Sequence, residues 1–336
     1  MDHQGLRVVI TGASSGIGRA TAEAFAAKGA RLVLAARGQE RLEEAVAACR
    51  ALGATAVGVV TDVTDMAAVR SLAERAKAEL GGIDLWASIV GAGVVGRYHE
   101  VPFDQHEQVI RANLLSHMGE AHAVLPIFIG QGRGTWVNMI SLGGFASTPW
   151  AAAYGASKFG LKGFSEALRG ELAGYPHIHV CDVYPAFVDT PGIGHAANAT
   201  ARRLSAPPPV IDARRVAAAI VGLARRPRAT TSVGSMTRAI RLGHLLAPTL
   251  TAKSMYGFIA GYMRQAEPAP VTQGSLFTPS DGPGGIDGGL RSPRQRAMGL
   301  GAFAVLAAGI GTVALMKGRR TRNATPSPSG HVTAKP

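Results

Sequence analysis

Cysteine is scarce in this 336-residue chain, which contains Cys49 and Cys181 as its two cysteines. They lie far apart and form no CxxC pattern. A disulfide framework and a cysteine-based zinc site are therefore disfavoured, and the composition is typical of a protein from a reducing compartment.

Histidine clusters that would hold a metal ion are also lacking. His117 and His122 are five residues apart on a predicted helix and diverge, whereas His177 and His179 share a strand face without a third ligand. We expect these histidines to be edge or surface residues, and we predict no metal site.

Acidic residues are rare in one part of the chain. Residues 1–190 carry 16 Lys and Arg against 18 Asp and Glu, whereas residues 191–336 carry 19 against 4. The predicted core thus has no basic surplus to neutralise phosphates, so binding of nucleic acid is disfavoured. The basic C-terminal part favours contact with an anionic lipid surface, and a solvated tail is the alternative.

A signal peptide is not expected, because MDHQGLRVVITG lacks a basic stretch followed by a long apolar run. A long apolar run does occur at residues 298–316, MGLGAFAVLAAGIGTVALM. A helix of this length would extend about 28 Å, close to the hydrocarbon thickness of a bilayer. The run predicts a membrane span. Docking against protein and the lack of an ordered role are the alternatives.

Apolar runs of strand length alternate with helical patterns through most of the chain. Strands are predicted at 6–11, 31–36, 55–60, 83–90, 134–141, 177–184 and 230–234. Helices are predicted at 16–28, 38–52, 65–80, 103–129, 150–173 and 210–226. Near-continuous Val, Ile and Leu strands between helices indicate an α/β fold with a doubly wound parallel sheet, whose ligands bind at the carboxyl ends of the strands.

The first strand leads directly into a glycine-rich turn, VVITGASSGIGRA. In this strand–turn–helix context, Gly12, Gly16 and Gly18 let backbone N–H groups approach a pyrophosphate at the helix N-terminus. The second strand ends at Ala36 and Arg37, with no carboxylate for the ribose 2′-hydroxyl of NAD. A cation there favours the 2′-phosphate of NADP(H), and a surface arginine is the alternative.

The segment YGASK places Tyr154 and Lys158 four residues apart, on one face of a predicted helix. Free tyrosine has a pKa near ~10, too high for efficient proton transfer at neutral pH. A nearby ammonium would stabilise the phenolate and lower the pKa, so Tyr154 is a candidate general acid and base.

With these motifs in this order, residues 6–235 resemble the short-chain dehydrogenase/reductase family. The resemblance implies a Rossmann-like oxidoreductase that transfers hydride between a nicotinamide and a carbonyl or alcohol carbon of a small molecule. It implies a homo-oligomer that pairs through the helices carrying Asn113 and Tyr154.

The same resemblance implies the site residues. Ser141 would orient the substrate oxygen, Tyr154 and Lys158 would transfer the proton, and Asn113 would hold a water that relays protons to the lysine. The implied cofactor-binding residues are Gly12, Ser14, Ser15, Gly16, Ile17, Gly18, Arg37, Asp62, Val63, Gly91, Tyr154, Lys158, Val188 and Thr190.

The chain departs from the family pattern after the fourth strand. Where the family has Asn-Asn-Ala-Gly, this sequence has Ser88-Ile89-Val90-Gly91. The change is expected to loosen the cofactor site or to leave a contact between strands unmade. A catalytically weak, NADP-binding sensor or interaction protein at a membrane is therefore the alternative to an active enzyme.

The predicted organisation is a single catalytic domain with a C-terminal extension. The NADP-binding domain covers 1–235, an apolar extension covers 236–264, and a Pro/Gly-rich linker covers 265–297. The apolar segment 298–316 and a basic tail at 317–336 follow. The extension is expected to form one or two helices broken at Pro248.

Taken together, the patterns predict an enzyme anchored in a membrane through 298–316, with its catalytic domain on the cytoplasmic side. Its substrate would be a lipophilic carbonyl or alcohol. A soluble cytoplasmic enzyme that reduces a small carbonyl, with the tail folded back, is the alternative.

Overall fold

One seven-stranded parallel sheet organises the chain, for which the computed structural model describes residues 3–279 and 284–291. Its strands are β1 (Arg7–Thr11), β2 (Arg31–Ala36), β3 (Thr55–Val60), β4 (Leu85–Ser88), β5 (Gly134–Met139), β6 (Ile178–Pro185) and β7 (Thr230–Val233). Their order across the sheet is β7-β6-β5-β4-β1-β2-β3, and each neighbouring pair is parallel. The predicted doubly wound sheet is confirmed.

Helices cover both faces of this sheet. They are α1 (Gly16–Ala26), α2 (Gln39–Ala51), α3 (Met66–Leu80), α4 (Phe103–Ile110), α5 (Ser116–Gln131), α6 (Ala152–Glu171), α7 (Ala213–Leu223), α8 (Ser235–Leu246) and α9 (Pro248–Arg264). Helices α1, α2 and α7 pack on one face, and α3, α5 and α6 pack on the other.

Side chains alternate between the two faces of the sheet along each strand, and they form one apolar core on each face. In β1, Val8 and Ile10 are buried against α1 and α7, whereas Val9 is buried against the opposite helices. Successive side chains of a strand point to opposite faces, so a sheet covered on both sides needs apolar residues at every position. This explains why the strands have near-continuous apolar sequences.

The strand order reverses next to β1, and this reversal positions the site. The chain proceeds from β1 outward to β2 and β3, then returns to place β4 on the other side of β1. The connections that leave β1 and β4 therefore run in opposite directions and open a crevice at the carboxyl ends of these strands.

Two predicted helical regions carry breaks. The predicted helix 103–129 is α4 and α5 joined by a single π-helical turn at Arg111–Leu115. The extension forms two helices, α8 and α9, and Pro248 occupies the first position of α9, where its missing N–H leaves no intrahelical bond unmade.

The predicted linker packs against the sheet domain wherever it is described. Its residues 265–279 and 284–291 follow the rim of the crevice, and Ile286 is buried in the main core with Leu276 buried in a separate cluster. The apolar segment 298–316 and the tail lie outside the described residues. Within the described ranges, no helix is both long enough and apolar enough to cross a bilayer.

Candidate active site

The glycine-rich turn after β1 needs its glycines for specific steric reasons. Gly12 and Gly16 have φ values of +71° and +53°, which side chains with a Cβ rarely adopt. A Cβ on Gly18 would overlap the carbonyl oxygen of Gly12, so only glycine lets α1 start this close to the turn. The backbone of this turn, called here the glycine cradle, therefore lies directly at the N-terminus of α1.

The N–H of Gly16 already has a partner within the chain. It donates to the carbonyl oxygen of Gly285 at 2.8 Å, and a Cβ on Gly16 would lie 3.0 Å from Cβ of Thr190. Gly16 thus lies where the predicted cofactor turn, the Thr190 loop and the C-terminal segment meet.

Arg37 lies at the opposite end of the crevice, directly after β2. Its guanidinium donates to the carbonyl oxygens of Ser275 at 2.7 Å and Phe277 at 3.2 Å. Asp62 lines the same end, where one of its carboxylate oxygens accepts from the N–H and the hydroxyl of Thr64. The guanidinium of Arg37 is thus held by two backbone carbonyls that lie 238 and 240 positions further along the chain.

The predicted catalytic wall forms where β5 ends and α6 begins. Ser141 follows β5, and its Oγ accepts a hydrogen bond from Gly143 N–H at 3.2 Å. Tyr154 lies in the first turn of α6. Lys158, one turn later, is buried and donates from Nζ to the carbonyl oxygen of Met139 at 3.0 Å. The ammonium is 5.7 Å from the centre of the Tyr154 ring.

Burial shapes the protonation of this wall. Burial raises the pKa of Tyr154, and a hydrogen bond with Ser141 opposes the rise. This is the opposite of the lowering that the sequence predicted from Lys158. Burial also lowers the pKa of Lys158 to about 7, since an ammonium loses hydration there. Near neutral pH the tyrosine is thus a neutral phenol beside an amine that is partly charged.

Asn113 lies in the π-helical turn, behind the crevice rather than on its wall. Its side chain donates to the carbonyl oxygen of Ala92 at 2.8 Å and accepts from Ala92 N–H at 2.7 Å. It also donates to Ser157 Oγ at 3.2 Å. Asn113 therefore holds the segment after β4 against α6, and the π turn, a feature frequent at functional sites, leaves it room to do so.

The loop after β6 also lines the crevice. Val188 and Asp189 are buried and pair in parallel with Ile211 and Asp212. Thr190 follows them and touches the glycine-rich turn, as described above. Val188 and Thr190 thus line the same cavity as Tyr154.

Apart from Asn113, every predicted catalytic and cofactor residue lines one cavity of about 960 Å³. The glycine cradle follows β1, which lies in the sheet between β2, the strand before Arg37, and β5, the strand before Ser141. A cavity of this volume, lined by a glycine-rich turn at a helix N-terminus and by a cation after the second strand, fits a dinucleotide. Among the described residues, no three His, Cys, Asp or Glu side chains are grouped to hold a metal ion.

Glu120 is a polar residue that the sequence reasoning missed. It is fully buried on α5 and accepts from Thr11 Oγ1 at 2.8 Å, Trp86 Nε1 at 2.7 Å and Ser88 Oγ at 3.0 Å. Thr11 and Ser88 are register partners at the ends of β1 and β4. Glu120 therefore joins β1 and β4, the two strands that border the crevice. Ser88, which stands where the family pattern has asparagine, thus makes a contact between these strands through Glu120.

Burial raises the pKa of Glu120 to about 7, and the three hydrogen bonds from Trp86, Thr11 and Ser88 oppose the rise. A sequence signal for this site does exist. Ser116, Glu120 and Val124 follow one another at a spacing of about one helical turn, and all three are buried on α5. A carboxylate at such a position needs buried donors.

His117 corrects a second expectation, because it is fully buried rather than at an edge or surface. Its ring nitrogens contact Asn138 Oδ1 at 2.6 Å and the carbonyl oxygen of Val90 at 2.9 Å. Burial and the charge of Lys158 lower its pKa to about 4, so the ring is neutral near pH 7. His117 holds the Ser88–Gly91 segment from behind.

Comparisons with known proteins show what this chain is similar to. A family model described as short chain dehydrogenase matches residues 7–200. The uncharacterized oxidoreductase YxnA of Bacillus subtilis (strain 168) is 32% identical over 256 residues, which are 74% of this chain and 70% of that protein. Estradiol 17-beta-dehydrogenase 11 of Mus musculus is 34% identical over 185 residues, which are 54% of this chain and 62% of that protein.

A solved structure shares the fold. An alcohol dehydrogenase from the archaeon Thermococcus sibiricus, complexed with 5-hydroxy-NADP, matches with a TM-score of 0.59 at 24% identity. The match covers 67% of this chain and 94% of that chain. The likeness concerns the arrangement of strands and helices.

Proposed function

The chain belongs to the short-chain dehydrogenase family of oxidoreductases, and from that premise we propose that it is an NADP(H)-dependent enzyme acting on a carbonyl or alcohol. The observation that carries the proposal is the placement of Ser141, Tyr154 and Lys158 on one wall of the cavity that Arg37 and the glycine cradle also line. Side chains suited to proton transfer thus share a cleft with groups suited to a dinucleotide.

Tyr154 is the proposed general acid. Hydride chemistry at the substrate carbon is supplied by the nicotinamide ring when it is bound. Ser141 and Tyr154 hydroxyls donate to the substrate oxygen, and the phenol gives up its proton as negative charge develops there. Because burial raises the pKa of Tyr154, the residue is protonated at neutral pH and suited to the reductive direction.

Lys158 is the proposed electrostatic partner of Tyr154 and a holder of the ribose hydroxyls. Burial lowers the pKa of its ammonium to about 7. Its charge therefore changes within the physiological range, and activity is expected to follow that change. Asn113 acts as a positioning residue, since it fixes Ala92 and Ser157 around the same helix.

The proposed preference for NADP(H) rests on Arg37. Its position directly after β2 suits a 2′-phosphate, and the guanidinium has further N–H donors beyond the two bonded to backbone carbonyls. Asp62 uses one carboxylate oxygen on Thr64. The ratio of Kd values for NADPH and NADH, measured in wild type and Arg37→Ala, tests this: the ratio should approach one in the variant.

A lipophilic substrate is proposed from the lining of the cavity near Tyr154. The cavity that Tyr154 lines is also lined by Leu142, Phe187, Ile259, Tyr262 and Met263. One similar protein is named an estradiol 17-beta-dehydrogenase, and its named substrate is a lipophilic alcohol. An apolar wall with a few polar groups at one end suits such a molecule.

Replacing Tyr154 by Phe tests the catalytic proposal. NADPH oxidation with a panel of carbonyls should fall about 10²–10⁴-fold in Tyr154→Phe, since the proton donor is lost while the ring remains. Tyr175→Phe, at an exposed tyrosine in a loop, is the matched control. Equal rates in wild type and Tyr154→Phe would instead support the catalytically weak, NADP-binding sensor.

Association with an anionic membrane surface is a further part of the proposal. Within residues 235–264 there are four Lys and Arg and no acid, and Leu242, Leu245 and Tyr256 are 54%, 78% and 55% exposed. Apolar side chains beside cations suit anionic lipid. Flotation with phosphatidylglycerol vesicles should weaken in the double variant Leu242→Glu/Leu245→Glu, and unchanged flotation would count against this face.

A homo-oligomer is proposed through α5 and α6. Met118, Ile129 and Phe159 on these helices are 39%, 41% and 39% exposed. Large apolar side chains exposed together on adjacent helices favour burial against a second copy. Light scattering on the purified full-length chain should give a mass above that of the 34.7 kDa monomer.

A further inference from the structure

We propose that residues 267–279 and 284–291 form a belt that encloses the bound cofactor, so that cofactor exchange requires release of this belt. The inference rests on the proposed function, because it concerns how the proposed NADP(H) site is closed. The sequence pattern of this segment indicates a flexible linker, so the belt is a feature that composition alone does not reveal.

The first part of the belt is paired to the loop that follows Thr190. Thr272 and Asn198 exchange backbone hydrogen bonds of 2.7 and 3.0 Å, and Arg203 N–H donates to the Glu267 carbonyl at 2.7 Å. Asn198 in turn belongs to a short strand that pairs with Val94–Val95, directly after β4. The belt is therefore attached by an isolated antiparallel bridge to Asn198, and through that short strand to the segment after β4.

The middle of the belt packs against the segment after β4 and the first turn of α6. Leu276 is 2% exposed and packs with Val94, Val109 and Ala153, in a cluster that Tyr154 also contacts. Burial of a leucine side chain stabilises this position through the apolar area removed from water. The same residue lines the cavity. The belt is therefore fastened beside the cavity by apolar packing as well as by backbone pairing.

The belt also orients Arg37, the residue that is proposed to bind the 2′-phosphate. Ser275 and Phe277 carbonyls accept from different terminal nitrogens of Arg37, which fixes the plane of the guanidinium. Pro279 lies 3.6 Å from the Cβ position of Gly38, so the belt continues along the adenosine end of the cavity. A planar, pre-oriented guanidinium loses less freedom when it binds a phosphate.

The last part of the belt is held by a cluster that we call the Asp189 latch: Asp189, Asp212, Arg214, Asp287 and Arg291. Asp189 is 2% exposed and accepts from Gly288 N–H at 3.0 Å, Leu290 N–H at 2.8 Å and Arg291 Nε at 2.9 Å. Arg291 also contacts Asp212 at 2.8 Å and Asp287 at 2.9 Å. Arg214 forms a two-point contact with Asp287.

The position of the latch gives it a function. Asp189 lies between Val188 and Thr190, which both line the cavity. A buried carboxylate that lost its three donors would be strongly destabilised, so the loop and the belt hold each other in place. Opening the latch frees the belt end and the Val188–Thr190 loop together, which is the movement that release of an enclosed dinucleotide needs.

Stopped-flow fluorescence tests the belt on the full-length chain. NADPH bound to wild type or Arg291→Ala is displaced by excess NADP⁺, and the variant should release NADPH on the order of tenfold faster or more, because a loosened enclosure acts mainly on the dissociation rate. Arg75→Ala, which removes an exposed pair with Glu79, is the control and should leave the release rate unchanged.

Hydrogen exchange supplies a readout that does not depend on the variant folding. In wild type, saturating NADPH should slow exchange of the Gly288 and Leu290 amides, whose N–H groups Asp189 binds. The distant amides of α3 should not change. Unchanged exchange at these two amides would contradict the belt even if Arg291→Ala proved unstable.

The outcomes separate the belt from the proposed function. If NADPH and NADH both fail to bind the wild-type chain, the proposed function is wrong and the belt fails with it. If NADPH binds, but Arg291→Ala releases it at the wild-type rate and the amides gain no protection, only the belt is overturned. Arg37→Ala should lose preference for NADPH over NADH, whereas Arg291→Ala should shorten the residence of both.

Discussion

Two polar clusters lie on either side of the crevice border, and they differ in what they face. The cluster of Ser141, Tyr154 and Lys158 lines the cavity, whereas Glu120 with Thr11, Trp86 and Ser88 is closed off inside the protein. Both contain a group whose pKa burial moves to about 7, Lys158 in one and Glu120 in the other. A perturbed pKa alone therefore does not separate catalysis from structure.

Hydrogen-bond satisfaction distinguishes the clusters. Glu120 uses both carboxylate oxygens on three donors and has a fixed partner for each. Lys158 has three N–H donors, and its ammonium is bonded to the Met139 carbonyl while it faces the cavity. A saturated group stabilises the fold, whereas a group with spare donors at a cavity wall can bind a ligand. The two clusters should therefore respond differently to substitution.

The largest effect is expected from Lys158→Met. Turnover should fall on the order of 10³-fold, because the positive charge beside Tyr154 is lost, while the thermal midpoint stays near that of wild type. Lys162→Met, one turn further along α6 at an exposed ion pair, is the control and should retain turnover. Wild-type turnover in Lys158→Met would show that Lys158 contributes no more to turnover than a structural residue.

The next largest effect is expected from Glu120→Ala. The substitution strands three buried donors and leaves a cavity, so the free energy of unfolding should fall by about 3 kcal/mol in urea titrations. Glu74→Ala, at an exposed position on α3, should change it by less than about 0.5 kcal/mol. A small loss in Glu120→Ala would mean that this cluster does not join β1 to β4 with the strength proposed.

A pH-dependent difference should distinguish wild type from Glu120→Gln. Burial raises the pKa of Glu120 from 4.5 to about 7, so the folded state binds the proton more tightly and its stabilising contribution is lost as pH rises from 4.5 through 7. The difference between the two proteins should change by about 2 kcal/mol across that range.

Wild type has to be compared with Glu120→Gln because His117 also makes stability depend on pH in this range. Burial lowers its pKa from 6.5 to about 4, so its contribution to stability rises with pH over much of the same range and partly cancels that of Glu120 in wild type. Unfolding at pH 5 and pH 7.5, measured in both proteins, isolates the carboxyl. A pH-independent difference would contradict the raised pKa.

The smallest effect is expected from Ser88→Ala. Only one of the three donors to Glu120 is removed, so the free energy of unfolding should fall by about 1 kcal/mol. Ser71→Ala at an exposed position is the control. A loss as large as in Glu120→Ala would show that Ser88, where the family pattern has asparagine, acts through more than this hydrogen bond.

The predictable part of the site is the part that local spacing encodes. The Gly12–Gly18 turn, the Tyr154–Lys158 pair one turn apart and the Arg37 position after β2 each depend on residues close in sequence. The fold class followed from strands whose side chains are apolar on both faces. The helix break at Pro248 also has a local cause, since proline suits the first helical position.

The unpredicted part depends on partners far apart in sequence. Glu120 contacts Thr11 across 109 positions, and Arg37 contacts Ser275 across 238. The spacing of residues along a helix or a strand does not indicate contacts between residues so far apart in sequence. The expectations that His117 lies at the surface and that Lys158 lowers the pKa of Tyr154 were wrong for the same reason, because burial depends on how helices pack and not on a residue's neighbours.

The sequence by itself therefore determined the parallel α/β sheet, the family and the residues proposed for chemistry, since alternation, turns and helical spacing are local properties. Only the tertiary structure decided how these residues are held. It placed Glu120 between β1 and β4, and it laid a segment with the composition of a linker along the cavity. The physical reason is that a buried carboxylate or a guanidinium takes whichever donors and acceptors the fold brings to it, and sequence distance does not enter that choice.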